Sequence, residues 1–198
     1  TPVRNFHSHL SLPGETTETI LALAAALAPL LPAHQNKIAA RLARVSEKAA
    51  AYHEAVAATA KRGNKAPMSK LWVSQCLSDA IARSGRKASI TSELGCPLGP
   101  IDVDHFNGYR QEPHSGGLGY GLPAALGIQL AEPDCLVFAT MGDGSYIFAN
   151  PTACHQIAEA LALPILIIIK NNAMWNAVRR SVVNAYPGGS AAHANRMP

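Results

Sequence analysis

Two short polar clusters in this sequence carry side chains able to hold a cation. Gly142-Asp143-Gly144-Ser145 follows the apolar run 135–141, and Asn171-Asn172 follows the run 164–170. Continuous apolar runs of this length read as buried parallel strands, so each cluster is predicted to sit at the carboxyl end of a strand. If the two strands are neighbours, their ends lie about 5 Å apart. Asp143 and Asn172 then converge, although 28 residues lie between them in sequence. A carboxylate oxygen and an amide oxygen are hard donors suited to Mg²⁺, which fills an octahedral shell with water and phosphate oxygens. Gly142 and Gly144 allow a tight turn that exposes backbone N–H groups to an anion. The residues therefore read as a Mg²⁺–diphosphate site. A Gly-Asp-Gly turn that binds nothing is the plain alternative.

Periodicity supplies the elements that must position these clusters. It predicts helices over 19–28, 36–62, 69–84, 118–130 and 150–161, and strands over 87–92, 135–141 and 164–170. Strand, helix and strand joined by short links predict a βαβ unit. The expected fold class is α/β, a parallel sheet with helices on both faces, preceded by a helical connector. In the alanine-rich helix 36–62, Ile38, Leu42, Val45 and Tyr52 form the expected buried stripe. Gly63-Asn64 and Pro67 then break the chain, which places a domain boundary between residues 66 and 67.

Composition narrows the classes. With 198 residues, 48% hydrophobic and 15% charged, the chain can bury a core, which excludes general disorder. The 15 Gly and 14 Pro have no period, which excludes a collagen-like chain. The apolar run 164–169 is too short to span a bilayer, and no charged-then-apolar leader is seen. The four cysteines, Cys76, Cys96, Cys135 and Cys154, form no CxxC pair. Neither a zinc site nor a disulfide framework is expected, and a cytoplasmic location is. The net charge of +4, with much of the basic excess between residues 37 and 87, favours anionic ligands. It is too diffuse to point to nucleic acid. A non-catalytic module docking an anionic partner through that stretch is the alternative from another class. The start at Thr1 suggests a piece of a longer protein.

Gly142-Asp143-Gly144, then 26 residues, then Asn171-Asn172 resembles the signature of thiamine diphosphate-dependent enzymes. The block from Ser115 to Gly127, Ser-Gly-Gly-Leu-Gly-Tyr-Gly-Leu-Pro-Ala-Ala-Leu-Gly, resembles the acetolactate synthase, benzoylformate decarboxylase and pyruvate decarboxylase branch. The resemblance covers about residues 67–186. It implies that residues 67–198 are the diphosphate-binding domain, incomplete at its C-terminal end, and that residues 1–66 are a mainly helical connector with the end of a middle domain. It implies thiamine diphosphate and Mg²⁺ as cofactors. Asp143, Asn172 and the carbonyl of Met174 would be metal ligands. Gly142, Gly144 and Ser145 would hold the diphosphate, with Gly95 and Cys96 in a further contact loop. Leu118 would prop the bent cofactor, and the Gly116-Gly117 backbone would meet its aminopyrimidine through the Gly116 carbonyl. The cofactor ring would be the electron sink for bond making or breaking beside the carbonyl of a 2-oxo acid or aldehyde. Trp175 and Val178 fall at substrate-pocket positions, and the apolar Val178 stands where pyruvate decarboxylases carry an acid. The glutamate that protonates the cofactor belongs, in this family, to another domain. A homodimer or homotetramer is implied, with no nucleic-acid or membrane partner. Decarboxylase, carboligase and acyl-CoA lyase all remain open.

Other motifs have competing readings. Gly119-Tyr-Gly121-Leu-Pro-Ala124 fits a dinucleotide fingerprint, but that motif needs a strand just before it, and the segment 111–115 does not read as one. His7 and His9 are either a metal pair or surface residues. His114, and less so His105, are candidates for acid–base work on substrate, because imidazole titrates near neutrality. Cys96 is either a reactive thiol or a small buried residue. Trp72, at helical spacing, reads as core.

Overall fold

The computed structural model describes residues 9–112 and 115–194. The chain divides into two compact units at Ala51/Tyr52, inside one long helix. The first unit holds α1 (Thr16–Leu27), two short 3₁₀ turns (Ala28–Leu30 and Pro32–His34), and the start of α2 (Gln35–Arg62). Each turn has proline in its first positions, where the missing N–H does no harm, and the same prolines prevent α1 from running on. The expected buried stripe is not buried: Ile38, Leu42 and Val45 are 41%, 64% and 54% exposed, and Tyr52, in the second unit, is 60% exposed. The large residues are separated by alanines, and within the first unit no described residue is buried, so no second layer exists there for the stripe to pack on. No single described helix is long and apolar enough to cross a membrane.

In the second unit, α2 ends at Arg62. Ser69 caps α3 (Lys70–Ser84) by accepting the Trp72 N–H at 3.1 Å, and left-handed Gly85 ends it. The buried face of α3 is Ser74, Leu77, Ser78 and Ile81, and Trp72, read as core, is only half-buried. Both hydroxyls are satisfied: Ser74 donates to the Lys70 carbonyl, and Ser78 accepts the Asp102 N–H.

The sheet follows: β1 (Ala88–Glu93), β2 (Tyr109–Gln111), β3 (Leu136–Gly142) and β4 (Ile165–Lys170), in the order β2-β1-β3-β4. All three pairings are parallel. The helices are α4 (Gly121–Ala131), α5 (Asp143–Phe148), α6 (Pro151–Ala160), α7 (Asn176–Ala185) and α8 (Ser190–Ala194). Strand residues alternate between two cores. Val137, Ala139 and Met141 pack with Leu122, Ala125 and Leu126 of α4 and Cys154 of α6. On the other side, Ala88, Ile90 and Phe138 pack with Leu77 and Ile81 of α3. Helices thus cover both faces, as the fold class anticipates.

Two elements depart from expectation. The three residues of β2 lie at a sheet edge and carry polar side chains, too short and too polar for a periodicity signal; Gln111 therefore ends a strand rather than opening a loop. The helix predicted from Leu118 begins at Gly121, leaving 118–120 in a turn. The strand order reverses direction between β1 and β3. In parallel α/β sheets that switch point, at the carboxyl ends, is where ligands bind.

Candidate cofactor site at the strand ends

The ladder between β3 and β4 closes with Gly142 opposite Lys170. The next residues are Asp143, which opens α5 and is half-buried, and Asn171-Asn172, both exposed. The two clusters therefore lie side by side, as their positions in the sequence predict. The asparagines fold over their own turn: Asn171 Oδ1 accepts the Ala173 N–H at 2.8 Å, and Asn172 Oδ1 accepts the Met174 N–H at 3.2 Å. Ala173 pays for this turn with a φ of 55°. The Met174 carbonyl accepts the Asn176 N–H at 2.8 Å. Each of these oxygens keeps a second lone pair. Among the described residues no three His, Cys, Asp or Glu side chains converge, so a metal here would rest on one carboxylate with amide and carbonyl oxygens.

Gly144 is shaped by its neighbour. A Cβ there would stand 2.9 Å from Trp175 Cδ1, and Trp175 in turn meets Phe148 edge to face at 5.3 Å. Ser145 is buried. Met174, Trp175 and Val178 are each about two-fifths to one-half exposed, at 40%, 41% and 47%.

The loop after β1 is packed from beneath. A Cβ on Gly95 would collide with the Thr140 backbone. Cys96 is fully buried, its N–H bonded to Thr140 Oγ1 and its carbonyl accepting from both the Ser92 and Tyr109 hydroxyls. Burial pushes its thiol pKa up, so the thiol is a packing group rather than a nucleophile. The side chain and backbone of Cys96 are thus both engaged within the protein. Lys170 is half-buried, and burial holds its ammonium below the usual lysine range.

The glycine block stands open on one side. Gly116 has φ 66°, nothing among the described residues lies within 4 Å of where its Cβ would be, and Leu118 is 41% exposed. Its other side is held by Glu93, whose carboxylate accepts the Gly119 and Gly121 N–H groups at 2.7 and 2.6 Å. The sequence analysis assigns Glu93 no role. The available signal was a carboxylate ending a short strand of small and apolar residues.

His105 lies at the other end of the sheet. Its Nε2 is 2.7 Å from the carbonyl of Ala88, the first residue of β1. That is far from the carboxyl ends, so His105 has no part in this site. His114 and His7 lie outside the described residues.

Residues 101–197 match the family described as "Thiamine pyrophosphate enzyme, C-terminal TPP binding domain". This part of the chain belongs to the thiamine pyrophosphate enzymes. Relatives in the same group include a benzoylformate decarboxylase from Pseudomonas aeruginosa, 46% identical over 59 residues, which are 30% of this chain and 11% of that protein. An acetolactate synthase large subunit from Porphyra purpurea is 40% identical over 79 residues, 40% of this chain and 13% of that protein. A solved thiamine diphosphate-dependent 4-hydroxybenzoylformate decarboxylase from Rhodococcus jostii is 33% identical, with a TM-score of 0.48 over 56% of this chain and 22% of that one. The matched stretch therefore spans only a small part of the length of these thiamine pyrophosphate enzymes.

The residues present fit a diphosphate cofactor held through a cation. Hard oxygen donors follow directly on adjoining strand ends, and among the described residues nothing fills the space where a Cβ on Gly116 or Gly142 would stand.

Proposed function

We propose that this chain is the diphosphate-binding part of a thiamine diphosphate- and Mg²⁺-dependent enzyme that makes or breaks a carbon–carbon bond beside a carbonyl. The observation that carries the reading is the Gly142–Lys170 pairing in a segment of this family, which sets Asp143 beside Asn171-Asn172. When bound, the cofactor supplies an electron sink for the cleaved or formed bond. Asp143 and Asn172, with the Met174 carbonyl, hold the cation. Backbone N–H groups of Gly144 and Ser145 bind diphosphate oxygens. Leu118 supports the cofactor from the open side of its turn, and the Gly116 carbonyl accepts from the aminopyrimidine. Trp175 and Val178 face the substrate side; Val178 moves no proton and favours a bulky apolar group over a small acid.

A 2-oxo acid is the substrate class, and a decarboxylase or carboligase the reaction. The similarity to a benzoylformate decarboxylase and an acetolactate synthase supports both. In this reading residues 67–198 form the cofactor domain and residues 1–66 a connector, and the working enzyme is a cytoplasmic homodimer or homotetramer. The test is CO₂ release from pyruvate and from benzoylformate by the full-length protein carrying this chain, with thiamine diphosphate and Mg²⁺. Release from either that Asp143→Ala abolishes supports the reading; no release and no carboligation from any 2-oxo acid in a panel overturns it.

A further inference from the structure

The glycine block is anchored by a group that the roles above do not use. Glu93, the last residue of β1, is 1% exposed. Its Oε1 accepts the Gly119 N–H at 2.7 Å and its Oε2 the Gly121 N–H at 2.6 Å. Two residues earlier on the same face of β1, Thr91 Oγ1 donates to the Gly121 carbonyl at 2.8 Å. The glycines are what this grip demands. Gly119 has φ 88°, and a Cβ there would stand 2.6 Å from the Phe148 carbonyl oxygen; a Cβ on Gly121 would stand 3.1 Å from Glu93 Cβ.

No ion pair among the described residues involves Glu93. Burying a carboxylate without a cation is costly, and here two N–H groups and the amino end of α4 stabilise the charge. The same strand end turns through Leu94, at φ 55°, which bridges Met141 of β3. Glu93 therefore ties the turn at 116–118 to the switch point between β1 and β3. Within that turn, nothing among the described residues lies within 4 Å of where a Cβ on Gly116 would stand.

Resting on the thiamine diphosphate reading, we propose that Glu93, with Thr91, is a positioning residue. Its carboxylate clamps Gly119 and Gly121 so that Gly116, Gly117 and Leu118 stand preformed over the strand ends to receive the cofactor.

The test combines residue-resolved amide hydrogen exchange with thiamine diphosphate binding, in the full-length protein carrying this chain and its Glu93→Gln variant. The amide keeps the volume but can accept only one of the two N–H groups. In the wild type, the Gly119 and Gly121 amides exchange slowly and those of Gly116 and Gly117 quickly. In Glu93→Gln, exchange at Gly119 and Gly121 rises, and cofactor affinity falls about tenfold or more, with β3 amides unchanged. Wild-type affinity in the variant overturns the proposal, as does wild-type exchange at Gly119 and Gly121 as fast as at Gly116. A wild type that binds no thiamine diphosphate overturns the functional reading and this inference with it, and is told apart because the wild type itself fails. Should Glu93→Gln not fold, Thr91→Val loosens Gly121 without a buried charge, and unchanged exchange and affinity there overturn the proposal.

Discussion

Gly142 and Lys170 are the last in-register pair of β3 and β4. The oxygen donors begin one residue beyond them on each strand, so pairing in the sheet, rather than contact along the chain, brings Asp143 to the asparagines. Asp143→Asn keeps size and helix start but removes the charge a cation needs. The expected result is at least a tenfold loss of Mg²⁺-dependent thiamine diphosphate affinity, with an unchanged circular dichroism spectrum. Equal affinity in the two proteins would show that Asp143 is only a turn residue.

Two glycines separate packing from binding. Gly95→Ala drives a methyl into the Thr140 backbone, and the expected cost is about 1–3 kcal/mol of unfolding free energy. At Gly117 the nearest atom to an added Cβ is Ser115 Oγ at 3.8 Å. Gly117→Ala is therefore expected to stay within about 0.5 kcal/mol of wild type while weakening cofactor binding. Urea unfolding and calorimetry on both variants check the contrast.

Leu118 is a large apolar side chain left 41% exposed in a turn. Leu118→Ala is expected to change stability by less than about 1 kcal/mol and to lower cofactor affinity. A variant that loses stability but binds as wild type would mark Leu118 as core.

Acid sensitivity is expected to involve the amino-terminal end of the sheet. The Lys87 ammonium donates to Glu132 Oε2 at 2.8 Å and holds the Glu132 carboxyl below its usual range. Because the folded-state pKa is the lower one, this contribution is present above the ordinary glutamate pKa and is lost as pH falls through the folded value. The same bond raises the Lys87 pKa, so that side of the contribution is lost only at high pH. Thermal melts between about pH 6 and pH 3 are expected to show a smaller drop in Glu132→Gln than in wild type; parallel curves would contradict the assignment. Both groups are surface residues, so the effect is small.

The thiols give a further check. Cys76 is exposed, whereas Cys96, Cys135 and Cys154 are buried, and burial raises the thiol pKa of Cys96 and Cys154. Alkylation of the native protein followed by mass mapping is expected to modify Cys76 first. Early labelling of Cys96 would show a loop far looser than the one described.

Strands β1, β3 and β4 were legible because continuous apolar or small-residue runs bounded by polar clusters have few other fates in a parallel sheet. The clusters at the ends of β3 and β4 were legible for the same reason. Strand β2 was not, because a short edge strand with Arg110 and Gln111 carries no buried periodicity. The exposed stripe of α2 was misread because spacing reports a face and not whether anything covers it. Glu93 was missed because its partners are the backbone of glycines 26 and 28 residues away, and backbone partners leave no side-chain pattern to find.

The central claim is a Mg²⁺-dependent thiamine diphosphate site at the ends of β3 and β4. Its most direct measurement is calorimetric titration of thiamine diphosphate into the full-length protein carrying this chain, with Mg²⁺ and with EDTA. Saturation at one site per subunit, abolished by EDTA and by Asp143→Ala, is expected. A folded protein that binds no cofactor, or binds it equally with EDTA, would contradict the account.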